Sequence, residues 1–152
     1  MLKSLQQSDR SIAAKILTLQ KQSYNVEAEI IGYYDLPPLQ EDVHHIQSSK
    51  EVFLGWMVNG ILTGVLSYEE TDKSILICRL VVHPDYFRQG IAANMLRSLI
   101  VDQDKPIYVC TAMKNTPAVR LYQQFGFEIT NTFTPCDGLY LVQLEKKINK
   151  PL

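Results

Sequence analysis

Two stretches of the chain combine residue types and spacing that chemistry can use. The first is Arg79-Leu-Val-Val-His-Pro-Asp-Tyr-Phe-Arg-Gln-Gly-Ile-Ala92. It reads as a buried strand, a tight loop and a helix opening at Gly90. The first turn of a helix leaves its N–H groups without partners and carries the positive end of the helix dipole. Gly90, Ala92 and Ala93 have little or no side chain, so a phosphate or pyrophosphate can come close to those amides, and Arg88 adds positive charge nearby. Neither of the common phosphate loops, GxxxxGK[ST] or GxGxxG, occurs. Alone, this fragment fits an ordinary strand-loop-helix connection equally well. The second stretch is Asn115-Thr-Pro-Ala-Val-Arg-Leu-Tyr-Gln-Gln-Phe-Gly-Phe127, a helix with proline near its first position and glycine past its end.

The elements that must position these residues follow from periodicity and turn chemistry. Ser8 or Ser11 caps a first helix running to about Gln22, with Ile12, Ile16 and Leu19 at helical spacing. A less regular segment follows from Ser23 to Ser49, with Gly32, the pair Pro37-Pro38 and a short helix over Leu39 to Ile46. Strands are predicted at Val52 to Val58 and Ile61 to Tyr68, joined by the hairpin pair Asn59-Gly60. After a turn at Thr71-Asp72-Lys73, a third strand runs from Ile75 to Val82 and stops at His83-Pro84, because proline cannot donate to a sheet. Gly90 opens a helix to about Val101 with Ile91, Met95, Leu96 and Leu99 inward, and Ile107 to Cys110 is a short buried strand. The helix from Pro117 to Phe125 leads into a last strand pair, Phe127 to Phe133 and Leu139 to Leu144, with Pro135 and Gly138 in the connecting loop. The expectation is a mixed α/β domain around a central sheet.

Bulk properties narrow the class. A chain of 152 residues with 46% hydrophobic and 20% charged residues is expected to fold as one domain spanning 1–152. With 15 basic and 16 acidic residues and a net charge of -1, nothing favours nucleic acid or an anionic membrane. Cys78, Cys110 and Cys136 form no CxxC pair and read as reduced thiols, which suits a cytoplasmic protein. Neither a signal peptide nor a membrane span is expected, and with no metal-ligand spacing such as HExxH no metal is expected either.

Taken in order, Val82-His83-Pro84, then Arg88-Gln89-Gly90-Ile91-Ala92, then Asn115, Ala118, Leu121-Tyr122 and Gly126-Phe127 resemble the GNAT N-acetyltransferase superfamily. The resemblance covers about residues 75 to 128 and departs at Phe87, where the family places arginine or glutamine. It implies a mostly antiparallel, twisted central sheet flanked by helices and splayed at an acetyl-CoA site. It implies acetyl transfer from acetyl-CoA to an amine. The backbone of Arg88, Gln89, Gly90, Ile91, Ala92 and Ala93 would hold the CoA pyrophosphate, Val82 the pantetheine arm, Val81 or Val82 the thioester oxygen, and Asn115 the CoA chain. Tyr122 would be the acid toward the departing thiolate, its plainer alternative being a half-buried helix aromatic.

The base is less defined. Many relatives carry a glutamate on the strand before the loop, yet Ile75-Leu76-Ile77-Cys78 has no carboxylate. Glu69, Glu70 and His83 are the alternatives, each with a solvated or structural reading beside it, as is a water chain with no base. Between Lys21 and Lys50 lie Glu27, Glu29, Asp35, Glu41 and Asp42 with Tyr24, Tyr33, Tyr34, His44 and His45, and no Lys or Arg. Such a wall suits a cationic amine acceptor, either a small molecule or a protein amine; an acidic solvated surface is the plainer reading. A CoA-binding regulatory module without catalysis is the second functional reading, and both monomer and homodimer remain open.

Overall fold

The computed structural model describes residues 1–148. Strands β1 (Leu2–Leu5), β2 (Val52–Val58), β3 (Ile61–Glu70), β4 (Ile75–Val82), β5 (Ile107–Ala112), β6 (Glu128–Cys136) and β7 (Leu139–Lys146) form one sheet in the order β1-β2-β3-β4-β5-β7-β6. Every neighbouring pair is antiparallel except β4 and β5, which run parallel. Helices α1 (Arg10–Ile31) and α2 (Val43–Ser48) accompany one face, and α3 (Ile91–Ile100) and α4 (Thr116–Gln124) the other. The fold is mixed α/β with a mostly antiparallel sheet, as expected.

Local chemistry explains the joints. Asn59 and Gly60 both take positive φ, 50° and 77°, which the tight β2–β3 hairpin requires. Gly64 on β3 serves close approach: a Cβ there would meet Met95 Cε at 2.7 Å and Ile91 Cγ2 at 2.9 Å. Its bare backbone lets the start of α3 settle on the sheet beside Val82, its partner across β3 and β4.

Several boundaries differ from the sequence reading. Helix α1 is capped by Asp9, whose carboxylate accepts from the Ser11 and Ile12 amides, rather than by Ser8 or Ser11. It continues past Gln22 to Ile31 because Ala28 and Ile31 extend the buried stripe, and it ends on Gly32 at φ 70°. The predicted helix over Leu39 to Ile46 is two pieces, a 3-10 turn at Pro37–Gln40 and then α2, which Asp42 and His45 cap reciprocally. Strand β1 was not anticipated. Pro135 lies inside β6, an edge strand where a missing donor breaks no ladder.

One irregularity shapes the site. Ser67 pairs with Arg79 and Tyr68 with Ile77, so Cys78 is an extra residue in β4. A bulge of this kind exchanges the faces of all that follows. Before it, Ile75 and Ile77 point toward α3; after it, Val81 points toward α1 while Val82 packs with α3. Arg79, which an unbroken strand would drive into the α3 core, is thereby turned to the α1 side, where carboxylates await it.

Candidate active site

The parallel pairing of β4 and β5 covers only Ile75–Ile77 against Ile107–Val109. Beyond it β4 runs on to Val82 and β5 to Ala112 without pairing to each other, so the sheet opens into a gap at the point of the bulge. The His83 amide donates to Thr63 O at 2.8 Å. Peptide groups alternate along a strand, so the amide and carbonyl of Val81 face β3 and those of Val82 face the gap. An edge of free peptide groups results, able to bind an extended polar chain as a further strand does.

At the mouth of this gap sits the start of α3. Gly90 is its N-cap, at φ 76°, and makes no side-chain cap bond, so the first-turn amides are left to solvent or a ligand. Space in front of Gly90 is open: a Cβ built there meets nothing within 4 Å. Arg88 is held at φ 63°, a conformation that costs a non-glycine residue roughly 1 kcal/mol. Arg88, Gln89 and Gly90 are exposed, Ala92 and Ala93 half-buried, and Ile91 is anchored in the core. Phe87 is 40% exposed beside them. The loop thus presents first-turn amides without a side-chain cap to open space, with Arg88 as the nearby cation.

Four side chains converge on the gap from both faces. Along α1, Ile16 and Leu19 pack with Val81 of β4, while Ala28 and Ile31 pack with Ala112 at the end of β5. The helix therefore bridges the opening. Tyr24 touches both clusters and so lies over the gap, with Glu27 one turn on. From the other face comes Tyr122 of α4, its ring 4% exposed and edge-on to Phe127 at 5.4 Å. Asn115 ties the two sides together. Its Oδ1 caps α4 by accepting from the Ala118 amide, and its Nδ2 donates to Glu27 Oε1 at 2.6 Å. The amide expected to reach the CoA chain thus already holds Glu27, with one N–H left to donate.

Burial governs the protonation of this group. It pushes the Tyr122 phenol well above its usual range, and the Glu27 charge pushes it further. Tyr24 is raised by burial first and then by Glu27. Burial also raises Glu27, against the opposing effect of the Asn115 bond. Two neutral phenols and a carboxylate of increased basicity thus face one another.

Next to them, on the α1 side, is a cavity of about 280 Å³ lined by Pro37, Pro38, Glu41, Glu51, Cys78 and Arg79. Its floor is an ion network. Arg79, 9% exposed, reaches Glu51 at 3.0 Å and Glu41 at 2.8 Å, and donates to Gln20 at 2.7 Å. Ser67 and Ser49 complete the Glu51 shell at 2.6 and 2.8 Å. The sequence reading passed over Arg79 as a polar residue in a buried strand; an arginine there demands carboxylate partners, and that was the available signal.

The proposed bases are placed as follows. Glu69 is exposed and comes within 4.8 Å of Glu51 and Cys78 at the cavity's outer edge. Glu70 pairs with Lys105 at 2.6 Å. His83 Nδ1 accepts from the Asp85 amide, pinning the loop after β4. Cys78, at the bulge, lies with Glu51 and Glu69 in a group whose ligand atoms are within 4.8 Å of one another. Partial enclosure, then the charges of Glu51 and Glu69, push its thiol up to about 12, so it stays protonated. Cys110, across the gap, is also raised by burial.

A seven-stranded sheet opened between its parallel strands, with a glycine-capped helix at the mouth of the opening, sets a free strand edge beside uncapped helix amides. The sequence profile of the acetyltransferase (GNAT) family matches residues 13–127, and the chain belongs to that family. It is 46% identical over 143 residues to the UPF0157 protein YqkA of Bacillus subtilis (strain 168). That match takes in 93% of this chain but 42% of the relative, so the chain spans less than half of that protein. In fold it is similar to the ribosomal-protein-S18-alanine N-acetyltransferase of Escherichia coli, with a TM-score of 0.77 at 15% identity over 99% of this chain and 95% of the other. It is also similar to the PaiA N-acetyltransferase of Thermoplasma acidophilum, solved with coenzyme A, with a TM-score of 0.75 at 16% identity over 97% and 98% of the two chains. Among the described residues, no helix is long and apolar enough to cross a membrane.

Proposed function

We propose that the protein transfers acetyl from acetyl-CoA directly to an amine, with Tyr122 as the acid. The observation that carries this reading is the gap itself, with the free peptide edge of Val82 on one side and, from α4, the buried Tyr122 phenol near enough to Glu27 to feel its charge. Acetyl-CoA supplies an activated acyl carbon and a thiolate leaving group. The Val82 peptide aligns the arm that carries the thioester, and the amides from Arg88 to Ala93 hold the pyrophosphate. An amide of Val81 or Val82 aimed at the thioester oxygen is worth about 10² to 10³ in rate; strand alternation favours Val82. Tyr122, kept protonated by burial, donates to the sulfur as the C–S bond breaks. Transfer without an acetyl-enzyme stage is supported by the raised thiols of Cys78 and Cys110, the cysteines flanking the gap.

The experiment is CoA release from acetyl-CoA across a chemically diverse panel of amines. Tyr122→Phe should lower turnover about 10²-fold while leaving acetyl-CoA affinity within a few-fold of the native value. Equal turnover in the variant removes Tyr122 from the chemistry. The alternative of a silent CoA-binding module draws on exposed Phe87 in the loop and the absence of a carboxylate on β4 before the bulge. Calorimetric binding of acetyl-CoA with no turnover across the panel would establish that module instead.

A further inference from the structure

A base has to be found for this reaction, because an alkylamine is protonated at neutral pH and an ammonium cannot attack a carbonyl. The strand position that carries it in many relatives is occupied here by apolar residues. Helix α1 offers a substitute: it crosses the gap, and its Glu27 is the carboxylate that the Asn115 bond locks toward α4, near Tyr122. Among the described residues no cation pairs with it. Arg79, the nearest positive group named in this cluster, is committed to Glu41 and Glu51. We propose that the Glu27 carboxylate receives the acceptor's ammonium group in the gap and takes its proton, which defines the acceptor as an alkylamine that arrives charged. This inference rests on the acetyltransferase reading and adds the substrate class and the residue that selects it.

The proton count closes. The acceptor R–NH3⁺ gives one proton to Glu27 and becomes R–NH2. Its nitrogen forms the C–N bond as the C–S bond breaks, and the sulfur takes the Tyr122 proton. The second nitrogen proton, lost as the amide forms, restores Tyr122. Glu27 returns its proton to solvent when the product leaves. The groups facing Glu27 are Tyr24 from its own helix, and Asn115 and Tyr122 from the α4 side, with Arg79 and Glu41 beyond Tyr24. Both phenols are neutral in the resting protein and Glu41 is paired with Arg79, which leaves Glu27 as the carboxylate of this set free to take up the acceptor's proton. Burial increases its basicity, which brings it closer to the strength a base needs at working pH.

Glu27→Gln tests this while keeping an oxygen for Asn115 to donate to, and unchanged acetyl-CoA affinity and an intact thermal transition confirm its fold. CoA release is measured with the alkylamine that turns over fastest in the panel, 1,4-diaminobutane being the first probe, and with methoxyamine, which is uncharged at neutral pH. The expected result is a loss of about 10²-fold with the alkylamine and less than about threefold with methoxyamine, together with disappearance of the acidic limb of the kcat/KM profile. Equal losses with both acceptors, or no loss with either, overturn the role. So does the same acceptor-dependent loss in Glu69→Gln but not in Glu27→Gln, which makes Glu69 the base. Native protein that binds acetyl-CoA but is silent with every amine overturns the acetyltransferase reading itself, a result distinct from the other three.

Discussion

Glu51 and Glu27 are both carboxylates enclosed on the α1 side of the sheet, and they have been treated in opposite ways. Glu51 is wrapped by donors: Arg79, Ser67 and Ser49 all bond it. Burial alone would raise its pKa, but these bonds outweigh the burial and hold it below the usual carboxylate value. Glu27 has one neutral donor, Asn115, and burial wins. A carboxylate whose charge is satisfied within the fold is a structural part, holding α1 and the Pro37–Gln40 turn to β4 through Arg79. One left short of a cation is a binding offer. The same physics of desolvation against hydrogen bonding thus separates an acid satisfied within the fold from one whose charge is left available, which is the ground for the ligand role proposed for Glu27.

The strongest way to break this contrast is to remove the cation from the satisfied side. Arg79→Met leaves Glu41 and Glu51 enclosed without their guanidinium, and urea unfolding should show a loss of about 3–5 kcal/mol. A loss under about 1 kcal/mol would mean that solvent already does for Glu51 what Arg79 is credited with. On the other side the sign reverses. Glu27→Gln removes an unsatisfied charge and keeps the Asn115 bond, so the variant should be more stable at neutral pH, by no more than about 1 kcal/mol given its partial exposure. Activity and stability would then move in opposite directions at Glu27 and together at Arg79. Enclosed acids that serve a ligand rather than the fold carry that signature.

Much of the scaffold was legible because it is written in local chemistry. Asn59-Gly60, His83-Pro84, Gly90 and Asn115-Thr116-Pro117 each mark a turn or cap by themselves, and the structure uses them there. Strand β1 was hidden because only Leu5 of its four residues is buried; the strand exists because β2 offers an edge to pair with. The last turns of α1 were hidden because Gln20 and Glu27 interrupt the inward stripe with polar groups whose partners lie far along the chain. The bulge at Cys78 leaves no trace in the near-continuous apolar run from Ile75 to Val82, where no polar–apolar alternation marks the change of face, so neither the gap's starting point nor the face of Arg79 could be read. Glu27 was visible only as one of five acids between Lys21 and Lys50. Its role depends on α1 crossing to Asn115, 88 residues away in sequence, and no local pattern encodes that distance.

The finest test of the contrast is its pH dependence, where the two acids must act in opposite directions. Glu51 has a folded-state pKa below its unfolded value near 4.5, so its contribution is intact above that value and is lost as pH falls through the lower, folded one. Glu27 has a folded-state pKa above its unfolded value near 4.5. Between the two the folded state holds the extra proton, so stability falls as pH rises through that window. The native protein should therefore gain stability on mild acidification from neutrality and lose it only on further acidification, while Glu27→Gln should lack the first gain. Over the same mild range kcat/KM of the native enzyme should fall, since protonated Glu27 cannot accept the ammonium proton. Parallel thermal melts and rate profiles of the two proteins locate the window: a gain in stability coinciding with a loss of activity identifies one titrating group behind both. Coincident curves for native and variant would mean that Glu27 is already satisfied by Asn115, and the two carboxylates would then differ in degree rather than in purpose.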